Sequence, residues 1–248
     1  MAEITAGHGG ARWTETLRHS IRSQAKRLLG IGVPEVGAAR WGDLRRTSPI
    51  SRNFGYDRGT PIDRHYIDDF LSRRSADIKG SVLEVKSSNY TRRFGSDVTR
   101  SEVLDIDSEN PQATIIADLN AATDLPDQQF DCIVLTQTLQ FVYDFNAALR
   151  DLHRSLKPGG VLLMTVPGIT PLRTRRMDWY WSFTNLAVQR LLGEHFRPEN
   201  IEVAVYGNLI SGTAFLYGIA SEELGRDELA ACDPDYQVIV AARAMRTA

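Results

Sequence analysis

The sequence predicts an α/β protein built on a mostly parallel sheet, and two features of the chain support this. Short apolar runs rich in Val, Ile and Leu recur from residue 82 to residue 242, which is typical of strands that are buried on both faces. Segments with helical periodicity separate these runs, as expected for βαβ units. The chain has 248 residues, 42% of them hydrophobic, so it can bury a sizeable core.

Residues 1–75 are predicted to form an N-terminal extension, helical and lid-like, before the sheet domain. The apolar spacing between Trp13 and Leu29 predicts an amphipathic helix. Residues 37–61 are rich in Gly, Arg and Pro and lack a clear period. Irregular segments of this length are usually functional or disordered, and we expect a lid. Pro61 suits the first turn of a helix that continues through Leu71.

Residues 76–248 are predicted to form the sheet domain, with an insertion at residues 207–234 that contains a helix of its own. Asp144 is the predicted N-cap of a helix that ends near Leu156, and Thr184 or Asn185 caps a helix that ends at Leu192. The predicted strands are Val82–Val85, Val98–Leu104, Thr114–Ala117, Cys132–Thr136, Val161–Val166, Ile201–Tyr206 and Tyr236–Ala242.

Acidic residues stand where several predicted strands end. Glu84 lies at the carboxyl end of the first strand, and ligands of open α/β sheets bind beyond the carboxyl ends of the strands. Glu102 follows 18 positions later (102 − 84), close to the spacing at which an acid commonly holds ribose hydroxyls. Asp105 and Asp107 compete for the same role. These acids predict a nucleoside-type ligand.

The loop after Glu84 departs from the usual nucleotide-binding pattern. Such loops ordinarily contain several glycines, which allow the backbone to approach the ligand. In this chain Lys86, Ser87 and Ser88 occupy those places. The chain also has no Gly-x-Gly-x-x-Gly motif, which argues against a dinucleotide-dependent oxidoreductase.

Charge and cysteine content exclude other classes of function. The net charge of −2 gives no basic field for nucleic acid or an anionic membrane, so we expect a small-molecule substrate. Two cysteines far apart, Cys132 and Cys232, do not predict a disulfide framework or a zinc site, and we expect no metal. No apolar run is long enough to span a membrane. We expect a cytoplasmic protein and allow a homodimer.

With these features in place, the chain resembles the class I S-adenosylmethionine-dependent methyltransferases, in particular bacterial methyltransferase-domain proteins found near glycosyltransferases and in biosynthesis of natural products. The resemblance covers residues 41–243. It rests on the motifs Leu83-Glu84-Val85, Asp118-Leu119, Leu125-Pro126 with Phe130-Asp131, and Lys157-Pro158-Gly159-Gly160.

The resemblance implies a Rossmann-like sheet of seven strands, mostly parallel, with an antiparallel last strand and helices on both faces. It implies S-adenosylmethionine as the cofactor. Glu84 and Lys86 would lie at the methionine end, Glu102 at the ribose, and Asp118 with Leu119 at the adenine. Gln137 would line the site of methyl transfer, and Tyr90 would follow the cofactor loop.

Two functions follow from the sequence. The first is methylation of an oxygen of a sugar or natural-product small molecule, with His65 and Tyr66 as candidate catalytic residues and the aromatic residues 179–183 as an acceptor-binding wall. The second is a methyltransferase-like binding or scaffold module with a repurposed cofactor site. Lys86 and the missing glycines motivate the second hypothesis.

Overall fold

A computed structural model describes residues 34–121, 125–172 and 178–247. The chain divides into two compact units, Met1–Thr47 and Ser48–Ala248. The described part of the first unit contains a short 3-10 helix at Gly42–Leu44. The predicted helix between Trp13 and Leu29 lies outside the described residues.

The second unit is built on a seven-stranded sheet. The order of the strands is β3-β2-β1-β4-β5-β7-β6, and β7 is antiparallel to both of its neighbours, whereas the other pairs are parallel. The prediction of a mostly parallel sheet with an antiparallel last strand is confirmed. The strands are β1 Gly80–Val85, β2 Val98–Asp105, β3 Ile115–Ile116, β4 Phe130–Thr136, β5 Leu156–Pro167, β6 Ile201–Tyr206 and β7 Ile239–Met245.

Helices cover both faces of this sheet, as predicted. One face packs on α1 through Ile67, Phe70 and Leu71, and the larger core on the other face includes residues of α3 and α4. Because α1 packs on the sheet, residues 48–75 belong to the same compact unit as the strands. The helices are α1 Ile62–Arg73, α2 Asn89–Phe94, α3 Phe145–Ser155, α4 Asn185–Leu192, α5 Leu209–Tyr217 and α6 Arg226–Ala230.

Two predicted helix caps are confirmed. The Asp144 carboxylate accepts a hydrogen bond from the Ala147 backbone N–H at 3.0 Å, and the Thr184 hydroxyl accepts one from the Ala187 N–H at 3.2 Å. Each satisfies a first-turn N–H that has no partner within the helix.

The largest difference from the predicted elements lies at the ends of β5 and β7. Helix α3 ends at Ser155, and residues 157–160 form an irregularity within β5 rather than a turn that precedes it. Strand β7 begins at Ile239, three residues later than predicted. Gln237 instead uses its side-chain amide to contact Asn185 and the Pro234 carbonyl, which holds the preceding residues in a loop.

Residues 48–61, which we call the strap, pack against the insertion at residues 207–234. The backbone N–H groups of Ile50 and Ser51 donate to the Tyr217 carbonyl at 2.8 and 3.1 Å. The rings of Phe54 and Phe215 stack with centroids 5.9 Å apart. Because the insertion follows β6, the strap is anchored at the edge of the sheet where the parallel strands end, which suits the predicted lid role.

Within the described residues, no helix combines the length and the apolar character that crossing a membrane requires.

Candidate functional site

Glu84, at the end of β1, holds the start of α2. Its side chain is 2% exposed, and its two carboxylate oxygens accept from the Tyr90 N–H at 3.0 Å, the Thr91 N–H at 2.8 Å and the Thr91 hydroxyl at 2.8 Å. Burial raises the pKa of Glu84 more than these hydrogen bonds lower it. The resemblance places Glu84 at the methionine end of the cofactor, and in the structure its carboxylate has three protein donors. Glu84 therefore positions the loop.

Lys86 begins the loop with a left-handed backbone, φ 72°, a conformation that ordinarily favours glycine. Its N–H donates to the Leu104 carbonyl at 2.8 Å, and its carbonyl accepts from the Asn110 amide at 2.8 Å. The backbone thus takes a glycine-like path although a lysine stands at this position. Its side chain is exposed.

The carboxylate at the ligand edge of β2 is Asp105. The register pairs Leu83 with Glu102, so Glu102 lies three residues before the strand ends; it is buried and paired with Arg100. Asp105 is the last residue of β2 and is partly exposed. The acid at a spacing of 18 residues from Glu84, Glu102, therefore lies inside the strand. The alternative acid, Asp105, lies at the carboxyl end of the strand.

Asp118 and Leu119 follow β3. The Asp118 carboxylate accepts from the backbone N–H of Asn120 at 2.8 Å and from its side-chain amide at 3.1 Å. The side-chain oxygen Oδ1 of Asn120 in turn accepts from the Tyr143 N–H at 2.8 Å. Leu119 is 7% exposed and packs in the main core. Asp118, through Asn120, thus connects the turns that follow β3 and β4. Leu119 anchors this segment in the main core.

Gln137 follows β4 beside the loop after β1. Its φ is 48°, and its N–H donates to the Thr165 carbonyl at 2.9 Å. Strands β1 and β4 are neighbours, yet the chain leaves β1 toward β2 and β3 on one side and returns to β4 on the other. Open α/β sheets bind ligands at such a reversal of strand order. The structure therefore brings Gln137 and Lys86 to one crevice.

Arg64, which was not among the predicted site residues, reaches the same loop from α1. It donates to the Tyr90 hydroxyl at 3.3 Å and to the Tyr56 hydroxyl at 2.9 Å. Burial raises the pKa of Tyr90, and the neighbouring Arg64 offsets part of that rise. The contact between Arg64 and Tyr90 spans 26 positions, so no local sequence pattern indicates it.

The two predicted catalytic residues, His65 and Tyr66, follow Arg64 on α1. Tyr66 is 2% exposed, and its ring centroid is 5.6 Å from that of Tyr206 in β6, the outermost strand and three positions from β4. Burial raises the pKa of Tyr66. His65 is half-buried and stacks edgewise on Tyr66 at 5.5 Å. The structure does not bring Tyr66 to the Glu84 loop.

The predicted aromatic wall is tied to the end of β4. The backbone N–H groups of Tyr180 and Trp181 both donate to the Gln140 carbonyl, at 2.8 and 3.4 Å. Beyond them a cleft of about 310 Å³ opens between α3 and α4, lined in part by Phe145, Trp181 and Phe183. The cleft lies over the core that faces α3 and α4. Among the described residues no group of His, Cys, Asp or Glu could hold a metal ion.

Known methyltransferases share this architecture. Residues 79–164 match a family model described as a methyltransferase domain. A malonyl-[acyl-carrier protein] O-methyltransferase from Pseudescherichia vulneris is 27% identical over 160 residues, which are 59% of this chain and 62% of that relative. The chain therefore spans less than two thirds of the relative's length. A S-adenosylmethionine-dependent methyltransferase structure from Archaeoglobus fulgidus aligns with a TM-score of 0.50 and 13% identity, over 74% of this chain and 94% of that chain.

Proposed function

We propose that this chain, whose residues 79–164 match a family model described as a methyltransferase domain, is a class I S-adenosylmethionine-dependent methyltransferase that methylates an oxygen atom of a small molecule. The acceptor we propose is a sugar or a natural-product intermediate. Support for oxygen comes from the curated relative, which is named an O-methyltransferase. A homodimer and a cytoplasmic location stay predictions.

The observation that carries this proposal is the position of Asp105. It is the partly exposed last residue of β2, beside the reversal of strand order, where a carboxylate can accept hydrogen bonds from both ribose hydroxyls. Asn110 donates to one of its oxygens at 2.5 Å and holds the side chain at the edge of the sheet. Asp105 thus suits the ribose of S-adenosylmethionine, and Asp118 after β3 suits the adenine side.

The methionine end would be held by side chains rather than by a glycine-rich backbone. Arg64 beside Tyr90, and the exposed Lys86, supply positive charge for the carboxylate. Glu84 keeps the loop in place through α2. The cofactor supplies, when bound, an electrophilic methyl group.

The acceptor must lie in line with that methyl group, so orientation by the protein provides much of the rate. Gln137 is placed at the end of β4 to line this position, and the wall at Tyr180 and Trp181 to contact the body of the acceptor. A hydroxyl acceptor gains from a group that takes its proton. We propose His65 for this role in preference to Tyr66, because His65 is half-buried and Tyr66 is fully buried.

One observation favours a second candidate, a methyltransferase-like binding module that does not transfer methyl groups. The Glu84 carboxylate is already occupied by three protein donors, and Lys86 adds bulk and positive charge near the position of a sulfonium. Such a protein would keep the fold and bind a different ligand at the same crevice.

Calorimetric titration of the wild-type protein with S-adenosylhomocysteine separates the two candidates. The enzyme requires saturable binding with one site per chain. Absence of heat and of any thermal shift at ~1 mM ligand, a free energy of binding weaker than about −4 kcal/mol, would remove the methyltransferase proposal and leave the binding module.

A further inference from the structure

Gln137 and Gln140 form an amide pair that leaves one donor and one acceptor unused. The Gln140 amide nitrogen donates to the Gln137 carbonyl at 3.0 Å and lies 3.5 Å from the Gln137 side-chain oxygen. These contacts orient both amides. The Gln137 nitrogen Nε2 and the Gln140 oxygen Oε1 are buried and have no hydrogen-bond partner in the described part of the chain. Gln140 itself is 1% exposed.

Neither atom stabilises the fold through a hydrogen bond. A buried polar atom without a partner loses its hydration and recovers no hydrogen bond. Five buried side-chain atoms lack a hydrogen-bond partner among the described residues, and three of them belong to Gln137, Gln140 and Thr165. Thr165 is next to Gln137, because its backbone carbonyl accepts from the Gln137 N–H. Gln137 also has positive φ. Unpaired polar atoms and backbone strain at one place indicate a site kept for a ligand.

The pair stands between the cofactor crevice and the aromatic wall. Gln137 lies at the end of β4, next to the loop that begins with Lys86. Gln140 accepts the N–H groups of Tyr180 and Trp181, and the ring of Tyr143 lies 5.3 Å from that of Tyr180. A ligand group that reaches the amide pair therefore has flat apolar surface beside it.

The unused atoms specify the chemistry of that ligand group. Gln137 Nε2 donates and Gln140 Oε1 accepts, and both are uncharged. A hydroxyl has the matching chemistry, because its oxygen can accept from the first atom and its proton can be donated to the second. A carboxylate or phosphate has no proton to donate to the Gln140 oxygen. An ammonium group has no lone pair to accept a hydrogen bond from the Gln137 nitrogen.

We infer that Gln137 and Gln140 bind the neutral hydroxyl of the methyl acceptor, and that the acceptor is an alcohol or phenol whose apolar body lies on Tyr143 and Tyr180. The inference rests on the proposed function, since it names the substrate class of the same site. Gln137 and Gln140 would then determine specificity and orient the hydroxyl, and a separate group would take its proton.

Three fluorinated benzene derivatives test this inference by fluorine NMR with the full chain and saturating S-adenosylhomocysteine. 4-Fluorophenol donates and accepts, 4-fluoroanisole only accepts, and 4-fluorobenzoate is an anion. We expect 4-fluorophenol to bind best, and Gln137→Met to weaken it roughly five-fold, the loss of one uncharged hydrogen bond. Gln140→Met should do the same. Gln189→Met, on the exposed face of α4, is the matched control and should change nothing.

The fold is checked by thermal unfolding, since Gln137→Met removes an unpaired buried donor and should not lower Tm. Equal binding of the three probes, no binding of 4-fluorophenol to the wild type, or wild-type affinity in both glutamine variants would each overturn the inference while S-adenosylhomocysteine still binds. A lowered Tm in Gln137→Met would show that the pair is structural and would overturn it too. If S-adenosylhomocysteine does not bind the wild type, the proposed function fails and the inference fails with it.

Discussion

Lys86 and Gln137 both have positive φ, 72° and 48°, at the carboxyl ends of the adjacent strands β1 and β4. The register pairs Glu84 with Val134, so the two residues stand one position apart across the reversal of strand order. Strained backbone in residues other than glycine is concentrated at functional sites. The pair thus locates the site in the crevice between β1 and β4.

Replacing Lys86 by glycine should stabilise the protein. A lysine in the left-handed conformation is strained by about 1–2 kcal/mol, and glycine removes this strain. Glycine also makes the unfolded chain more flexible, which lowers stability by about 0.5–1 kcal/mol. We expect Lys86→Gly to raise the free energy of unfolding by roughly 0.5–1 kcal/mol in denaturant titration. Lys79→Gly, at an exposed residue without positive φ, should lower it. Equal effects of the two substitutions would show that Lys86 is unstrained.

Glu84→Gln should destabilise the start of α2. In the glutamine, an NH2 group replaces one of the two carboxylate oxygens and cannot accept a hydrogen bond. The buried backbone N–H of Tyr90 or of Thr91 then loses its acceptor. We expect a loss of about 1–3 kcal/mol in the free energy of unfolding. The exposed Glu109 provides the control, Glu109→Gln, with no change expected. Unchanged stability in Glu84→Gln would mean that this carboxylate serves the ligand rather than the helix.

The parts of the fold that depend on local sequence were predictable. Strand β6 has the predicted bounds, Ile201–Tyr206, because its β-branched and aromatic residues favour an extended strand. Asp144 and Thr184 cap their helices because a cap needs only the next three residues. The same holds for the parallel sheet, which follows from the alternation of strands and helices.

The site was harder to predict because register and distant contacts decide it. Glu102 has a suitable spacing from Glu84, but the pairing with β1 determines that Asp105 reaches the edge. Arg64 meets Tyr90 only because α1 crosses the sheet beside α2. Tyr66 packs in a buried cluster with Phe215 of the insertion. None of these relations has a pattern within one segment of chain.

Arg64 should recognise the carboxylate end of the cofactor. 5′-Methylthioadenosine keeps the nucleoside of S-adenosylhomocysteine and lacks its amino acid. We expect Arg64→Met to weaken S-adenosylhomocysteine roughly tenfold, the loss of one hydrogen bond to a charged group, and to leave 5′-methylthioadenosine unaffected in calorimetry. Arg73→Met, at the other end of α1 and paired with Asp69, serves as the control. Equal losses for both ligands would indicate a disturbed fold.

The contact between strap and insertion should weaken in acid. The hydrogen bond from Arg58 lowers the pKa of Glu223 from 4.5 to about 2. A carboxylate whose pKa is lowered on folding contributes stability above its unfolded pKa and loses it as pH falls through the folded pKa. The difference in Tm between wild type and Glu223→Gln should therefore shrink from pH 4.5 to about 2. Because both side chains are 36% exposed, we expect a small effect.

An Arg58→Met background provides the check on that prediction. Without the guanidinium, the acid-dependent difference that Glu223→Gln produces should become smaller, and only the hydrogen bond from the Ala220 N–H should still lower the pKa of Glu223. A difference as large as in the wild-type background would show that Arg58 does not lower the pKa of Glu223.

The most direct test of the account compares two carboxylates of β2 in titrations with S-adenosylhomocysteine. Asp105→Asn should weaken binding at least roughly tenfold, because the edge carboxylate accepts from ribose hydroxyls and such bonds contribute about 1.5–3 kcal/mol. Glu102→Gln should bind as the wild type does, since Glu102 lies within the strand beside Arg100. Wild-type affinity in Asp105→Asn, or a loss confined to Glu102→Gln, would contradict the placement of the cofactor at the carboxyl ends of β1 and β2.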